Sequence, residues 1–287
     1  MAAHSKVLIT GVAGFTGRYL QEHLMAHGYN CVALQSNLLN KKSVASEVAK
    51  INPDYVIHLA AISFAAELNI GKIYEVNVVG SLNLLDALAS MKAPPKNVIL
   101  ASSAAVYGKS SVTSLTENLV PRPVNHYGCS KLCMENMAQN YIDSFPVTIA
   151  RPFNYTGIGH AEHFLIPKIV KAFQHSEPEI ALGNLEVYRE FNDIRDVCIT
   201  YRLLIESSIK GGVVNICTGH SISLLEIIEL MSSISGIQMK VKIDPFFVRE
   251  NEIKDLSGNP AKLRSYVNVT PRYTIEDTLR WMYASSI

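Results

Sequence analysis

The sequence predicts an α/β protein: a doubly wound parallel sheet with a smaller α/β lobe attached. Three observations predict it. Strand-like apolar runs alternate with helical patterns through the first half of the chain. Those runs are apolar almost throughout, as strands covered on both faces must be. A glycine loop, Gly11-Val12-Ala13-Gly14-Phe15-Thr16-Gly17, lies between the first run and the first helical pattern.

In order, Lys6 to Thr10 reads as a strand and Thr16 to His27 as a helix. A second strand at Asn30 to Leu34 precedes a helix from about Lys41 to Lys50. Tyr55 to Ala60 is a third strand, Ile73 to Met91 one long helix, and Asn97 to Ser102 a fourth strand. A helix from about Tyr127 to Ser144 leads into a strand at Pro146 to Arg151. After Arg151 the rhythm changes. Long loops are expected around Asn154 to His163 and Glu177 to Asn192, then shorter helices such as Leu224 to Ser233. The run from Gly212 to Cys217 is expected to return to the main sheet. Residues 1–153, with a return segment at about 190–220, are thus expected to form a dinucleotide-binding domain. Residues 154–189 and 221–287 would form the substrate lobe. No internal repeat or low-complexity tract interrupts this order.

Size and charge narrow the function classes. A chain of 287 residues with 48% hydrophobic content suits one large soluble domain or a domain and a half. A net charge of +1 offers no footprint for nucleic acid or for an anionic membrane surface. The apolar runs are short and interrupted, so no transmembrane helix is expected. The N-terminus lacks a signal peptide's long apolar core. Cys31, Cys129, Cys133, Cys198 and Cys217 are odd in number with no C-x-x-C pair. Reduced thiols in a cytoplasmic protein are expected.

A glycine loop between strand and helix is the context of a dinucleotide fingerprint, so the sheet is expected to be Rossmann-like. Gly11, Gly14 and Gly17 would let the backbone turn and approach a pyrophosphate. Phe15 and Thr16 would open the helix whose N-terminus receives it. The second half of the fingerprint is missing. An acidic residue should end the second strand, but Leu34-Gln35-Ser36-Asn37-Leu38 has no carboxylate. Lys41 and Lys42 could meet a 2′-phosphate or form a solvated face. NADPH or NADH is expected, with a lean to NADPH because no carboxylate opposes a phosphate.

Tyr127 and Lys131 are four residues apart, hence on one helical face. A phenol beside an ammonium becomes a better acid–base near neutral pH. Ser102 and Ser103 end the fourth strand. The motifs around these residues resemble the extended short-chain dehydrogenase/reductase family: T-G-V-A-G-F-T-G at 10–17, H-L-A-A at 58–61, N-V-V-G at 77–80, S-S-A-A-V-Y-G at 102–108, Y-G-C-S-K at 127–131 and R-P-F-N at 151–154. The resemblance implies that Ser103 hydrogen-bonds the substrate carbonyl, Tyr127 moves the proton, and Lys131 holds the nicotinamide ribose and lowers the tyrosine's pKa. Leu59, Ala60 and Ala61 would lie along the cofactor, with Gln35, Ser36, Asn37 and Leu38 around its adenosine. Asn37 stands where the family often has an adenine-binding Asp. Asn77 would tie strands together, and Ser102 would turn its side chain away.

The segment from Gly183 to Val197 resembles the G-N-L-x-x-x-R-D-F-x-D-V-R-D-V stretch of the GDP-mannose 4,6-dehydratase and GDP-4-keto-6-deoxymannose reductase group. That implies Arg189 as a diphosphate ligand. Arg249 would be a second, with Glu252 on ribose hydroxyls and Asn154 and Lys168 completing the substrate-binding set. Glu250 replaces the proline of the group's later motif. Asp193 and Arg195 are expected to form a structural ion pair, and Trp281 to pack in the core or an interface. His160 and His163 have H-x-x-H spacing but no third ligand, so no metal is expected.

The resemblance leaves dehydratase, epimerase and reductase open. Dehydratases of the group have a glutamate two residues after the catalytic serine or threonine, and epimerase–reductases a cysteine. Here that residue is Ala105, beside Ala104. A methyl group cannot transfer a proton, and a missing general acid–base typically costs ~10²–10⁴ in rate. The expected function is a nucleotide-sugar 4-ketoreductase, with GDP as the expected nucleotide. The alternative is a C4 epimerase, and a non-catalytic dinucleotide sensor is a further class. The resemblance also implies a homodimer through helices at about 79–91 and 129–144.

Overall fold

The computed structural model describes residues 5–63, 69–110, 112–208, 210–245 and 255–285. In chain order the elements begin β1 (Lys6–Thr10), α1 (Phe15–Ala26), β2 (Asn30–Ala33), α2 (Lys41–Ile51), β3 (Tyr55–His58), α3 (Ile70–Tyr74) and α4 (Gly80–Ala89). They continue with β4 (Asn97–Ala101), β5 (Ser114–Leu115), α5 (His126–Ala138), β6 (Val147–Pro152), β7 (Tyr155–Thr156), α6 (Leu165–Gln174), β8 (Glu179–Leu182), β9 (Tyr188–Arg189) and β10 (Asn192–Asp193). The last are α7 (Ile194–Glu206), β11 (Gly212–Ile216), β12 (Ile222–Ser223), α8 (Leu224–Ser235), β13 (Lys240–Ile243), β14 (Asp255–Gly258), α9 (Ala261–Tyr266) and α10 (Ile275–Ala284).

Six parallel strands form the main sheet in the order β2-β1-β3-β4-β6-β11. Side chains alternate across it with the period of a strand. Val7 and Ile9 of β1, Ile57 of β3, Ile99 of β4 and Val214 of β11 face a layer built from Leu20 and Leu24 of α1 and Val197 and Tyr201 of α7. Their neighbours Leu8, Val56, Val98 and Leu100 face Val44 and Val48 of α2, Leu84 and Leu88 of α4 and Met134 of α5. Both faces are covered, which is why the strands are apolar throughout. The chain crosses from β2 over β1 to β3, so the topological switch point, where such sheets bind ligands, lies at the end of β1. The glycine loop is there.

The second lobe has its own core. Ile166 and Phe173 of α6, Leu182 of β8, Ile227 and Met231 of α8 and Leu279 of α10 pack together. Helices α8 and α10 each start on a capping box, Ser223 with Glu226 and Thr274 with Asp277. An ion pair ties this lobe to the sheet. Arg195 donates to both carboxylate oxygens of Asp193, at 2.8 and 2.7 Å, and Thr278 of α10 donates to the same group at 2.7 Å. The Arg195 guanidinium lies 3.5 Å from the Tyr273 ring centroid and 3.9 Å from that of Trp281. Trp281 packs between the two lobes.

Two expectations need correction. The long helix at 73–91 is interrupted by a π-helical turn, Glu75–Val79, between α3 and α4. The wider turn points Asn77 at Ile62, whose N–H and carbonyl it binds at 2.8 and 3.1 Å. The expected loops at 154–163 and 177–192 contain β7, β8, β9 and β10, which pair only with distant segments. No helix among the described residues is long and apolar enough to cross a membrane.

Helix α5 is held on the sheet by a buried charge pair. Arg151 on β6 donates to Glu135 through Nε at 2.9 Å and Nη2 at 2.5 Å, and both residues are 4% exposed. Ser102 donates to the same carboxylate, and the guanidinium lies 4.9 Å from the centroid of the Tyr107 ring. Removing one partner leaves the other charge stranded in the core. Arg151→Met is therefore expected to lower unfolding stability by about 3–5 kcal/mol. The double variant with Glu135→Leu should regain most of it, as measured by urea denaturation.

Candidate active site

Backbone packing explains why the loop after β1 needs glycine. Gly11 has φ +74°, and a Cβ there would lie 2.8 Å from the Ala60 nitrogen. At Gly17 a Cβ would fall 2.2 Å from the Gly11 carbonyl oxygen. The loop is thus folded tightly on itself and on Leu59 and Ala60, with Gly14 capping α1 and Phe15 and Thr16 in its first turn. No acidic residue occupies that turn. A cradle without room for side chains at a helix N-terminus fits a pyrophosphate. Leu59, Ala60 and Ala61 flank it, partly exposed, and the Ala60 N–H donates to Thr10 at 3.1 Å.

The segment after β2 is arranged differently from its expected role. Leu38 is 9% exposed and belongs to the core under α2 and α4. Asn37 accepts from the Leu39 N–H at 3.0 Å and so stabilises its own turn. Lys41 pairs with Asp86 at 2.6 Å. A carboxylate does stand there, from α2: Glu47 accepts from the N–H groups of Gln35 at 2.8 Å and Ser36 at 2.7 Å. Those hydrogen bonds outweigh its partial burial and hold its pKa below the usual range. Nothing in the sequence marks Glu47, because its role depends on α2 folding back over the end of β2.

Ser103, Tyr127 and Lys131 converge at the ends of β4 and α5. Ser103 caps a 3₁₀ turn at Ala104–Tyr107, its hydroxyl accepting from the Ala105 N–H at 3.1 Å. Gly128 lets α5 start against that turn, since a Cβ would lie 2.7 Å from the Ala105 oxygen. Asn125 caps the helix by accepting from Gly128 N–H at 2.8 Å. Tyr127 keeps part of its surface open, yet its phenol is crowded. Burial raises its pKa, the nearby Tyr155 phenol adds to the rise, and a hydrogen bond with Ser103 opposes it. Lys131 is 2% exposed and donates to the Ala101 carbonyl at 2.7 Å. Burial pulls its pKa down to about 8, against the pull of Glu135. Desolvation is the largest influence on the phenol here, and the Lys131 ammonium is bound to backbone.

Behind the pair runs a buried polar chain. His58 lies between Thr10 Oγ1 at 2.7 Å and Ser81 Oγ at 2.8 Å. Ser81 donates to the Asn77 carbonyl, so it must accept from His58 Nε2–H, and Nδ1 accepts from Thr10. Burial lowers the His58 pKa to about 3, which keeps it neutral. Asn77 donates to Ser130 at 3.0 Å, and Ser130 to the Tyr127 carbonyl at 2.7 Å. Ser102 turns away from the cleft toward Glu135. Sequence reasoning missed Tyr155, although it directly follows the R-P-F-N motif. Its hydroxyl pairs with Thr16 at 2.8 Å, joining the glycine loop to the second lobe.

The remaining candidates are spread over the second lobe. Asn154 is exposed, and its carbonyl accepts from Asn192. Lys168 donates to the Ala181 carbonyl at 2.8 Å. Arg189 is half-buried on β9 and donates to the Tyr188 carbonyl at 2.7 Å. Its neighbour Glu190 is fully buried and binds the N–H groups of Thr218 and Gly258. Arg249, Glu250 and Glu252 lie outside the described residues. His160 stacks between Phe15, at 4.4 Å, and Phe164, at 4.2 Å, and burial lowers its pKa to about 4. It therefore covers the glycine loop as an uncharged ring. Among the described residues no three His, Cys, Asp or Glu are grouped to hold a metal.

A family model described as the NAD dependent epimerase/dehydratase family matches residues 7–217. The chain is 36% identical to a GDP-6-deoxy-D-talose 4-dehydrogenase of Aggregatibacter actinomycetemcomitans, over 98% of both chains. It is 30% identical to a GDP-6-deoxy-D-mannose reductase of Pseudomonas aeruginosa, over 96% of this chain and 95% of the other. The solved structure of RMD from Pseudomonas aeruginosa complexed with NADPH superimposes with a TM-score of 0.89 at 28% identity, covering 98% of this chain and 97% of that one.

The Lys131 ammonium is charged below about pH 8 and neutral above it. If it must be charged to hold a ribose hydroxyl, kcat/KM for the nicotinamide cofactor should be level from pH 6 to 7.5. It should then fall about tenfold per pH unit above 8. A profile level to pH 10 contradicts this assignment.

Proposed function

We propose, for a chain that belongs to the NAD-dependent epimerase/dehydratase family, that it is a nucleotide-sugar 4-ketoreductase acting on a GDP-linked 4-keto-6-deoxy sugar. One observation carries the reading. The two residues that follow Ser103 in its turn are Ala104, buried, and Ala105, so in this reading Tyr127 carries the proton transfer alone. Dehydration and C3/C5 epimerisation each need a second proton-transfer group there. Reduction of a ketone does not. The GDP-sugar 4-dehydrogenase and reductase relatives support the same choice of substrate and reaction.

The reduced nicotinamide, when bound, supplies a hydride to the C4 ketone carbon. Ser103 orients the carbonyl: its oxygen already accepts from Ala105, which leaves its own O–H to donate to the ketone oxygen. As negative charge builds on that oxygen, Tyr127 donates the phenolic proton and the alcohol results. A raised pKa keeps the phenol protonated at neutral pH, as an acid requires. Lys131 holds the cofactor ribose beside it. Arg189 and Arg249 would clamp the sugar's diphosphate, since the planar guanidinium fork matches it. The exposed Val79, at the end of the π-helical turn before α4, suits the homodimer expected through helices at about 79–91 and 129–144.

A C4 epimerase would use the same Ser103, Tyr127 and Lys131. The Glu47 carboxylate favours it to one extent, because it supplies the acidic group that epimerases retaining NAD use on the ribose. The two readings separate on a panel of nucleotide 4-keto-6-deoxy sugars with NADPH and NADH, with NMR of the products. A reductase consumes one reduced cofactor per sugar, and incubation in D₂O adds no deuterium at C3 or C5. Interconversion of C4 epimers without net cofactor consumption would sink the reductase reading. Tyr127→Phe is expected to lower turnover by about 10²–10⁴ while cofactor affinity is unchanged.

A further inference from the structure

We infer that Glu47 selects the cofactor, favouring NADH over NADPH by placing a fixed negative charge where the 2′-phosphate of NADPH would lie. Sequence alone leans to NADPH because no carboxylate follows Leu34. The fold supplies one from eleven residues beyond Ser36.

Its position follows from the sheet. Ala33 of β2 is in register with Ile9 of β1, and the Leu34 N–H donates to the Ile9 carbonyl at 3.1 Å. Gln35 and Ser36 therefore leave the sheet level with Thr10 and Gly11, beside the glycine loop. In dinucleotide-binding sheets the acidic group that hydrogen-bonds the adenosine ribose stands at this end of the second strand. Glu47 reaches it from α2 and is fixed by two backbone N–H groups, one on each oxygen, at 2.8 and 2.7 Å. A carboxylate has about four acceptor sites, so both oxygens can still accept from ribose hydroxyls.

The same hydrogen bonds remove what a phosphate would need. The Gln35 and Ser36 N–H groups, an otherwise available anion-binding pair, are already satisfied. Lys41, a candidate phosphate ligand, is engaged by Asp86 of α4 at 2.6 Å. Lys42 and Lys50 are exposed, and no arginine lies between Leu34 and Ile51. A bare ribose meets acceptors here, and a phosphate meets a like charge.

The inference rests on the dinucleotide loop and not on the reductase reading, so binding alone tests it. Dissociation constants for NADH and NADPH, and for 5′-AMP and 2′,5′-ADP, are measured by calorimetry without sugar. The natural protein should bind NADH and 5′-AMP about tenfold or more tighter than the 2′-phosphorylated partner. In Glu47→Gln, which keeps the side chain's size, that ratio should shrink by about tenfold. Equal or tighter binding of NADPH by the natural protein overturns the assignment, whatever the variant does. An unchanged ratio in a folded Glu47→Gln protein, with both affinities reduced alike, overturns it too and makes Glu47 a loop tether. Loss of sugar reduction with these ratios as expected would count against the reductase reading only.

Discussion

The candidate active site depends on how α5 is seated. Tyr127, Lys131 and Glu135 follow at i, i+4 and i+8, so one helical face presents a phenol, an ammonium and a carboxylate to the sheet. Glu135 meets Arg151 of β6 in a two-pronged buried pair. A charge inside a protein is tolerated only when paired and hydrogen-bonded. That requirement fixes the rotation of α5 about its axis. Once it is fixed, Lys131 reaches the Ala101 carbonyl and Tyr127 faces Ser103 at the end of β4.

The same constraint explains the ionisation pattern. Packing the helix against the sheet removes water from Tyr127 and Lys131 together. Burial favours the neutral form of each, so the phenol rises and the ammonium falls. For a proton donor this is suitable: a neutral phenol beside a lysine that is still charged at neutral pH. The chain through His58, Ser81, Asn77 and Ser130 holds the first turn of α5 from the other side, by the Tyr127 carbonyl. The two ends of this helical face are thus anchored by different chemistry, an ion pair and a neutral hydrogen-bond chain.

The second lobe is held by an analogous device. Asp193 pairs with Arg195, accepts from Thr278, and sets the guanidinium against Tyr273 and Trp281. The Asp193–Arg195 pair was expected from the sequence. Its aromatic partners were not, being about 80 residues further along the chain. Tyr155 and Thr16 make the matching contact on the cofactor side. The lobe and the glycine loop are therefore set in one frame by a few polar contacts over a mostly apolar joint.

The sequence by itself determined the main sheet, the glycine loop and the grouping of Ser103, Tyr127 and Lys131 that we propose as catalytic. Each is encoded locally: strand period and apolar runs for the sheet, backbone freedom for the glycines, helical spacing for Tyr127 and Lys131. Only the tertiary structure decided which charges meet across elements. It turned Ser102 toward Glu135, placed Leu38 in the core, brought Lys41 to Asp86 and carried Glu47 back to Gln35 and Ser36. It also split the helix at 73–91, because Asn77 binds Ile62 and Ser130 from a widened turn. Such outcomes rest on long-range desolvation and pairing, which no window of neighbouring residues contains.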